Sequence, residues 1–178
     1  MPPPASMPSP AFFFDRDGTV NLSPGPGYVL QWQDFHFTPG VRDMLIAVKN
    51  HGWKSILVTS QQGVGKKLMS METLHEIHTR MQEALGPAAA FDGIYVCTGL
   101  DGQDPRRKPS PAMIMEAARD HDLDLAASWN IGDKERDLEM GRAAGVPHNL
   151  AFGSSAFPDW SSVQHAWQTA VTLTAPPP

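Results

Sequence analysis

Apolar segments alternate with longer amphipathic segments along this chain, and the alternation predicts the fold. Five short runs are rich in aromatic, aliphatic and β-branched residues, which is typical of buried strands. The segments between them repeat apolar residues at helical spacing. Strands that alternate with helices form a parallel sheet with helices on both faces. We therefore predict an α/β fold with a doubly wound parallel sheet, whose strands are 12–14, 53–58, 91–97, 128–131 and 148–152.

Capping residues mark where the helices begin. Thr38, followed by proline and glycine, and Ser70 each precede a segment with helical periodicity, so each is predicted to cap a helix. The second of these helices carries His75 and His78 on one face. Because no third ligand accompanies them, we predict solvated or partly buried histidines there rather than a metal site.

Polar side chains stand at the ends of three predicted strands and before one predicted helix. In chain order they are Asp15, Asp17, Thr59, Ser60, Lys108 and Asp133. The carboxyl ends of parallel strands lie at one edge of a sheet, where α/β proteins bind their ligands. These residues are therefore predicted to converge on one site, although more than a hundred residues separate the first from the last.

The two aspartates after the first strand predict a metal site. Asp15 and Asp17 are two residues apart, so in an extended segment their side chains point the same way. Two carboxylates so close together require a cation between them or a proton on one of them. Oxygen ligands suit Mg²⁺, and Gly18 allows the backbone to turn sharply beside a ligand.

This set of residues suits the hydrolysis of a phosphate monoester, which is extremely slow without a catalyst. Asp15 can attack phosphorus to form an aspartyl-phosphate, while Asp17 can protonate the leaving oxygen and later activate water. Mg²⁺ held by Asp15, the backbone carbonyl of Asp17 and Asp133 would let an anionic nucleophile approach an anionic phosphate. Thr59 and Lys108 can hold the phosphate oxygens.

One further acid has two interpretations from sequence. Asp137 lies one helical turn beyond Asp133. It either orients the metal ligands or Lys134, or it is a plain acid on a helix surface, and the sequence supports both equally.

The motifs, taken in order, resemble those of the haloacid dehalogenase (HAD) superfamily of phosphohydrolases. The superfamily motifs are Asp15-x-Asp17-Gly18-Thr19, Thr59 at a strand end, Lys108 before a helix, and Gly132-Asp133-Lys134-x-x-Asp137. Over about residues 11–153 the chain more closely resembles the branch of histidinol-phosphate phosphatase and D-glycero-D-manno-heptose-1,7-bisphosphate 7-phosphatase. The motifs of that branch are Phe14-Asp15-Arg16-Asp17-Gly18-Thr19, Gly27-Tyr28-Val29, Val58-Thr59-x-Gln61-x-Gly63, Asp92-Gly93-Ile94-Tyr95 and Arg107-Lys108-Pro109.

The resemblance implies a Mg²⁺-dependent phosphatase with a Rossmann-like core and no large cap domain. Its implied substrate is a small phosphorylated metabolite, with a sugar or heptose phosphate ahead of histidinol phosphate. The site residues that it implies are, for catalysis, Asp15, Asp17, Thr59 and Lys108; for the substrate, Ser60, Gln61 and Arg107; and for the metal, Asp15, Asp17 and Asp133.

The chain departs from this branch where relatives carry a structural zinc loop of the type Cys-x-His and Cys-x-Cys. Only Cys97 remains, with Gly99 at the histidine position and Asp104 and Arg106 at the later cysteine positions. One thiol without a nearby histidine cannot supply four zinc ligands. We therefore predict no zinc and a short, mobile loop over residues 98–106. Ser60 also replaces the usual asparagine, which affects substrate identity more than reaction type.

Composition narrows the class of protein. The 178 residues have a net charge of −5, which argues against a nucleic-acid partner, and no apolar run reaches transmembrane length. A single cysteine fits a reducing cytoplasm. Proline-rich ends predict disordered tails at 1–10 and 174–178 around one domain, 11–173, which we expect to act as a monomer.

Two other functions fit parts of the pattern. A receiver-like signalling domain also uses acids, a hydroxyl and a lysine, but it needs its phosphorylated aspartate at the end of a middle strand. The third predicted strand ends instead in Cys97-Thr98. A non-catalytic protein that binds phosphate or metal is the other alternative, and it is disfavoured because every catalytic position is filled.

Overall fold

Five strands form one parallel sheet, whose order from edge to edge is third, second, first, fourth and fifth. The strands are β1 (Ala11–Phe14), β2 (Lys54–Ser60), β3 (Gly93–Cys97), β4 (Trp129–Gly132) and β5 (His148–Ala151). The structure, a computed structural model, describes residues 7–100, 102 and 104–174. All five predicted strands are present, and the predicted α/β class is confirmed.

Helices cover both faces of the sheet. Within the described residues they are α1 (Val41–Asn50), α2 (Gln62–Gly65), α3 (Met71–Leu85), α4 (Ala112–His121), α5 (Glu135–Ala143) and α6 (Trp160–Thr174). Apolar side chains of α1, α3 and α6 pack on one face, and those of α4 and α5 pack on the other. The segment between β1 and α1 carries a short 3-10 helix, Trp32–Asp34, rather than a folded cap domain.

The central strand β1 is buried on both faces, which explains its unbroken apolar sequence. Phe12 and Phe14 point to the face covered by α1, α3 and α6, with their ring centroids 4.8 Å apart. Phe13 points to the opposite face and packs in the cluster that includes α4 and α5. Packing on both sides fixes the end of the strand, so the residues after Phe14 occupy a defined position.

The two predicted helix caps have different outcomes. Ser70 caps α3 as predicted, because its hydroxyl accepts a hydrogen bond from the backbone N–H of Thr73. The prediction for Thr38 is wrong, since α1 is capped by Gly40. The Thr38 hydroxyl instead donates to the carbonyl of Thr19 (2.6 Å) and accepts from the indole N–H of Trp160 (2.7 Å). It thereby connects the turn after β1 to α6.

Backbone hydrogen bonds hold the residues just before β1 to the rest of the domain. The backbone N–H of Ser9 donates to the carbonyl of Asp122, and its carbonyl accepts from Asp124. Most of the predicted N-terminal tail, residues 1–6, lies outside the described residues, as do residues 175–178 of the C-terminal tail and residues 101 and 103 of the predicted short loop. Among the described helices, none has the length and apolar character needed to cross a membrane.

Candidate active site

The carboxyl ends of β1, β2 and β4 surround one open cavity. The residues predicted from sequence that line it are Asp15, Asp17, Thr59, Ser60, Arg107, Lys108 and Asp133. The strand order explains this convergence, because β1 lies between β2 and β4 and all three strands run in the same direction. Gln61 was also predicted to contact the substrate, but it does not line the cavity because its side chain is buried behind it.

Lys108 lies buried between two carboxylates. Its Nζ donates to Asp15 Oδ1 at 2.6 Å and to Asp137 Oδ1 at 2.8 Å. Burial alone would lower the pKa of Lys108, but the two carboxylates outweigh it and raise that pKa above its ordinary value. The side chain is therefore an ammonium ion with a fixed position beside Asp15.

Asp15 is held in an environment that disfavours its ionised form. Burial raises the pKa of Asp15 to about 7, with Lys108 opposing the shift and the Asp137 carboxylate adding to it. The Lys108 bond engages Oδ1, and Oδ2 receives no hydrogen bond from the described residues. A divalent cation at this position would favour the ionised, nucleophilic carboxylate.

Three acids provide a place for such a cation. Carboxylate oxygens of Asp15, Asp133 and Asp137 lie within 4.8 Å of one another. Gly18 permits this approach, because a Cβ there would lie 2.3 Å from Asp133 Oδ2. An all-oxygen donor set of this kind fits Mg²⁺. The side chain of Asp17 is not part of this group, and a contribution of its backbone carbonyl to the metal stays a prediction.

Asp137 is not a surface acid. It is only 2% exposed, and its Oδ2 accepts from the backbone N–H of Lys134 at 3.0 Å while its Oδ1 accepts from Lys108. The first of these bonds caps the start of α5. Asp137 therefore orients Lys108 and the backbone of Lys134.

The carboxylate of Asp17 is held by donors from three side chains. Arg16 donates from Nε and Nη2 to Oδ1, at 3.2 and 3.0 Å, and Asn21 donates to the same oxygen at 3.0 Å. Gln61 donates to Oδ2 at 3.0 Å and to the hydroxyl of Thr59 at 2.8 Å. Gln61 is thus a buried link between two residues of the cavity.

The open side of the cavity is cationic. Arg107, Lys134 and Arg136 line it together with Tyr28. The side-chain amide oxygen of Gln62 accepts hydrogen bonds from Arg107 Nη1 and Nη2, at 2.7 and 2.9 Å, in the amide orientation that satisfies both side chains. At the inner side, the buried hydroxyl oxygen of Ser60 has no hydrogen-bond partner among the described residues.

Some site residues were missed from sequence. Arg16 lies inside the aspartate motif and Asn21 follows it, but neither was given a role, and Gln62 was not predicted as a site residue. The contact of Gln61 with Thr59 could have been predicted from sequence. Residues two apart in an extended segment share a face, so the Gln61 side chain is directed toward Thr59. No comparable signal exists for Arg16, whose burial depends on distant elements.

Replacing Gly18 with alanine should disrupt the acid group. The residue has φ of +85°, so alanine adds about 1–2 kcal/mol of backbone strain and places its methyl group against Asp133. We expect Gly18→Ala to lose phosphatase activity and the increase in melting temperature on adding Mg²⁺. Gly52→Ala is the matched control, because it has φ of +75° with no atom within 4 Å of the added carbon. Equal effects of both substitutions would contradict this account.

The fold and the cavity together define the class of protein. A carboxylate pair after the first strand of a doubly wound sheet, a hydroxyl after the second and a buried lysine beside an acid group are the features of a HAD phosphohydrolase. A HAD-hydrolase-like family model matches residues 105–150.

Comparison with known proteins identifies the branch. The D-glycero-beta-D-manno-heptose-1,7-bisphosphate 7-phosphatase of Helicobacter pylori is 37% identical over 143 residues, covering 79% of this chain and 82% of that protein. The D-glycero-D-manno-heptose-1,7-bisphosphate 7-phosphatase of Thermosynechococcus vestitus is 34% identical over 178 residues, covering 91% and 89%. A solved structure of D,D-heptose 1,7-bisphosphate phosphatase from B. bronchiseptica, complexed with magnesium and phosphate, has a TM-score of 0.79 at 25% identity and covers 93% of this chain and 99% of its own.

The chain therefore belongs to the D-glycero-D-manno-heptose-1,7-bisphosphate 7-phosphatase family of the HAD superfamily. It is a HAD-superfamily phosphatase that hydrolyses a phosphomonoester, as the sequence motifs predicted. Magnesium is present in the related structure from B. bronchiseptica.

Proposed function

We propose that this enzyme removes one phosphate from a heptose bisphosphate. The observation that carries the proposal is the distribution of positive charge in the cavity. Lys108 lies at the nucleophile, and three more cations, Arg107, Lys134 and Arg136, also line the cavity, although Lys134 is paired with Asp133 at 2.9 Å. A bisphosphate needs one cationic site for the phosphate that reacts and another for the phosphate that stays. The relatives from Helicobacter pylori and Thermosynechococcus vestitus are phosphatases of heptose bisphosphate, which is the same substrate.

In the first step, Asp15 attacks phosphorus and forms an aspartyl-phosphate while the bond from phosphorus to the leaving oxygen breaks. Lys108 and Thr59 hold the phosphoryl oxygens. The geometry supports these roles, because Lys108 Nζ is 2.6 Å from Asp15, and the Thr59 oxygen accepts from Gln61, so that its own O–H can donate to phosphate. Ser60 offers a further hydroxyl to the substrate.

Asp17 moves the protons in both steps. It gives a proton to the leaving alkoxide oxygen, so the departing sugar leaves as a neutral hydroxyl. Its carboxylate then takes a proton from water, which attacks phosphorus and displaces Asp15. Inorganic phosphate leaves, and Asp15 and Asp17 return to their starting protonation states.

The residues that would hold Mg²⁺ are Asp15 and Asp133, with the backbone carbonyl of Asp17. Asp137 belongs to the same acid group but is engaged by Lys108 and the backbone of Lys134. When bound, the cation supplies charge neutralisation for the reaction between a carboxylate and a phosphate.

Substrate selection gives the test of this proposal. We expect kcat/KM to be higher for heptose bisphosphate than for histidinol phosphate or hexose monophosphates. Arg107→Ala should raise KM for the bisphosphate by roughly 10–100-fold, because a lost hydrogen bond to a charged group costs about 1.5–3 kcal/mol. Its effect on p-nitrophenyl phosphate, which has one phosphate, should be within about threefold.

Arg119→Ala is the control for that test, because Arg119 is exposed on α4 and lies outside the cavity lining. A similar rise in KM for both substrates would rule out recognition of a second phosphate by Arg107. Preference for histidinol phosphate would reject the proposed substrate while leaving the reaction class intact.

We also propose that the segment after β3 is held without zinc, through its described residues Gly99, Asp104 and Arg106. Arg106 forms a two-bond ion pair with Glu116 at 2.9 and 2.8 Å and donates to the carbonyl of Val96. A Cβ at Gly99 would lie 2.2 Å from Asp104 Cβ, so Asp104 packs directly against the backbone of Gly99 and leaves no room there for a larger side chain. Elemental analysis of the purified enzyme is expected to find no stoichiometric zinc.

We further propose that the enzyme is a monomer and acts in the cytoplasm. Sedimentation analysis tests the oligomeric state.

A further inference from the structure

The carboxylate of Asp17 is positioned by a side chain that is itself buried. Arg16 is 0% exposed, and its guanidinium donates from two nitrogens to Asp17. A buried guanidinium is stable only if its other N–H groups also find partners. Its remaining terminal nitrogen, Nη1, lies 3.0 Å from Nε2 of His78 on α3. The orientation of the guanidinium is therefore set from both ends.

The direction of the bond between Arg16 and His78 follows from chemistry. A guanidinium has only donors, so His78 Nε2 must be the acceptor and the ring proton must lie on Nδ1. This requires a neutral imidazole. Burial, reinforced by the adjacent Arg16 charge, lowers the pKa of His78 to about 3, so the imidazole is neutral across the working range of pH. Arg16 also lies over the ring of Phe35, at 5.8 Å from its centroid.

We propose that His78 is a positioning residue for catalysis, which fixes the Asp17 carboxylate for proton transfer through Arg16. The inference rests on the proposed role of Asp17 as the acid that protonates the leaving group. It extends the functional residues to α3, a helix that supplies no residue to the cavity lining among the described residues. Without the His78 acceptor, Arg16 is expected to turn away from Asp17 to satisfy its N–H group.

The nature of the leaving group separates this role from a purely structural one. An alkoxide needs a proton as it departs, whereas 2,4-dinitrophenolate does not. The parameter kcat/KM reports the steps up to departure of the leaving group, so the later activation of water by Asp17 does not enter it. Poor positioning of Asp17 should therefore lower kcat/KM for the sugar phosphate and leave that for 2,4-dinitrophenyl phosphate nearly unchanged.

The experiment compares His78→Leu, His78→Gln and His75→Leu on both substrates. We expect His78→Leu to lower kcat/KM for the sugar phosphate by roughly 10–100-fold, part of the 10²–10⁴-fold typical of acid–base catalysis, with less than about threefold loss on the dinitrophenyl ester. His78→Gln restores an acceptor and should recover most of the loss. His75 is exposed on the same helix, so His75→Leu is the matched control. His78→Met replaces the leucine variant if that variant does not fold.

The outcomes separate the positioning role of His78 from the proposed acid role of Asp17. Equal losses on both substrates, or no loss, would overturn the role of His78, provided that Asp17→Asn retains the selective loss on the sugar phosphate. If Asp17→Asn shows no selective loss, the proposed acid role of Asp17 fails and the role of His78 fails with it. Selective loss in both variants, with recovery in His78→Gln, supports the proposal.

Discussion

Asp15→Asn is expected to abolish phosphatase activity while leaving the fold intact. An amide cannot attack phosphorus, and single replacements of catalytic residues cost roughly 10⁴–10⁶-fold in kcat. The substitution preserves shape and a hydrogen-bond acceptor for Lys108, which also keeps its partner Asp137. The measurement is steady-state turnover of the heptose bisphosphate in the presence of Mg²⁺.

The same variant should be more stable than the native protein when Mg²⁺ is removed by a chelator. The folded-state pKa of Asp15 is about 7, above the value of about 4 expected in the unfolded chain. Its stabilising contribution is therefore present below about pH 4 and is lost as the pH rises to about 7. Asparagine does not titrate, so the melting temperature of the variant should exceed that of the native protein increasingly over this interval.

Asp43→Asn, on the exposed side of α1, is the matched control and should change neither activity nor the dependence on pH. Retention of substantial turnover by Asp15→Asn would exclude an aspartyl-phosphate at this residue. A melting temperature below that of the native protein over the whole interval would show that burial does not disfavour the Asp15 carboxylate.

Lys108→Met is expected to lose both activity and stability. It removes the cation between two buried carboxylates, and breaking a buried ion pair from one side typically costs about 3–5 kcal/mol. Loss of the charge beside the transferring phosphoryl group should lower kcat by roughly 10²–10³-fold. Chemical denaturation at about pH 8 and about pH 5 should give the larger destabilisation at the higher pH, because a carboxylate can accept a proton at the lower one.

Two further variants sharpen this prediction. Lys134→Met removes an exposed lysine paired with Asp133, and it should cost less than about 1 kcal/mol of stability. Combining Lys108→Met with Asp15→Asn removes one of the two stranded acids, so the double variant should recover part of the lost stability but no activity. If Asp15→Asn stabilised the Lys108→Met variant no more than it stabilises the native protein, repulsion between the two acids would not be the cause.

The sheet and the cavity could be predicted because their signals are local. A strand buried on both faces has an unbroken apolar sequence, as β1 has, and the polar residues that follow such strands in a parallel sheet must share one edge. Asp15, Thr59 and Asp133 were therefore placed together correctly without knowledge of the strand order.

The supporting contacts depend on distances that a sequence does not contain. The burial of Asp137 follows from how closely α5 approaches Gly132, where a Cβ would lie 2.3 Å from Asp137 Cβ. The bond between Arg16 and His78 follows from the packing of α3 against the turn after β1, 62 residues away. Thr38 resembled a helix cap because the local pattern fits one, but its hydroxyl is engaged by Trp160 from the far end of the chain.

The position of α6 has a consequence for how the enzyme matures during translation. Asp15 and Asp17 are synthesised well before Trp160 and Trp167 of α6, which pack on Phe14 and Phe12 of the strand that leads to them. One face of β1 is therefore only partly covered until α6 has been synthesised. We expect a nascent chain that ends before α6 to carry every predicted catalytic residue and still be inactive, because the aromatic side chains of β1 lack part of their cover.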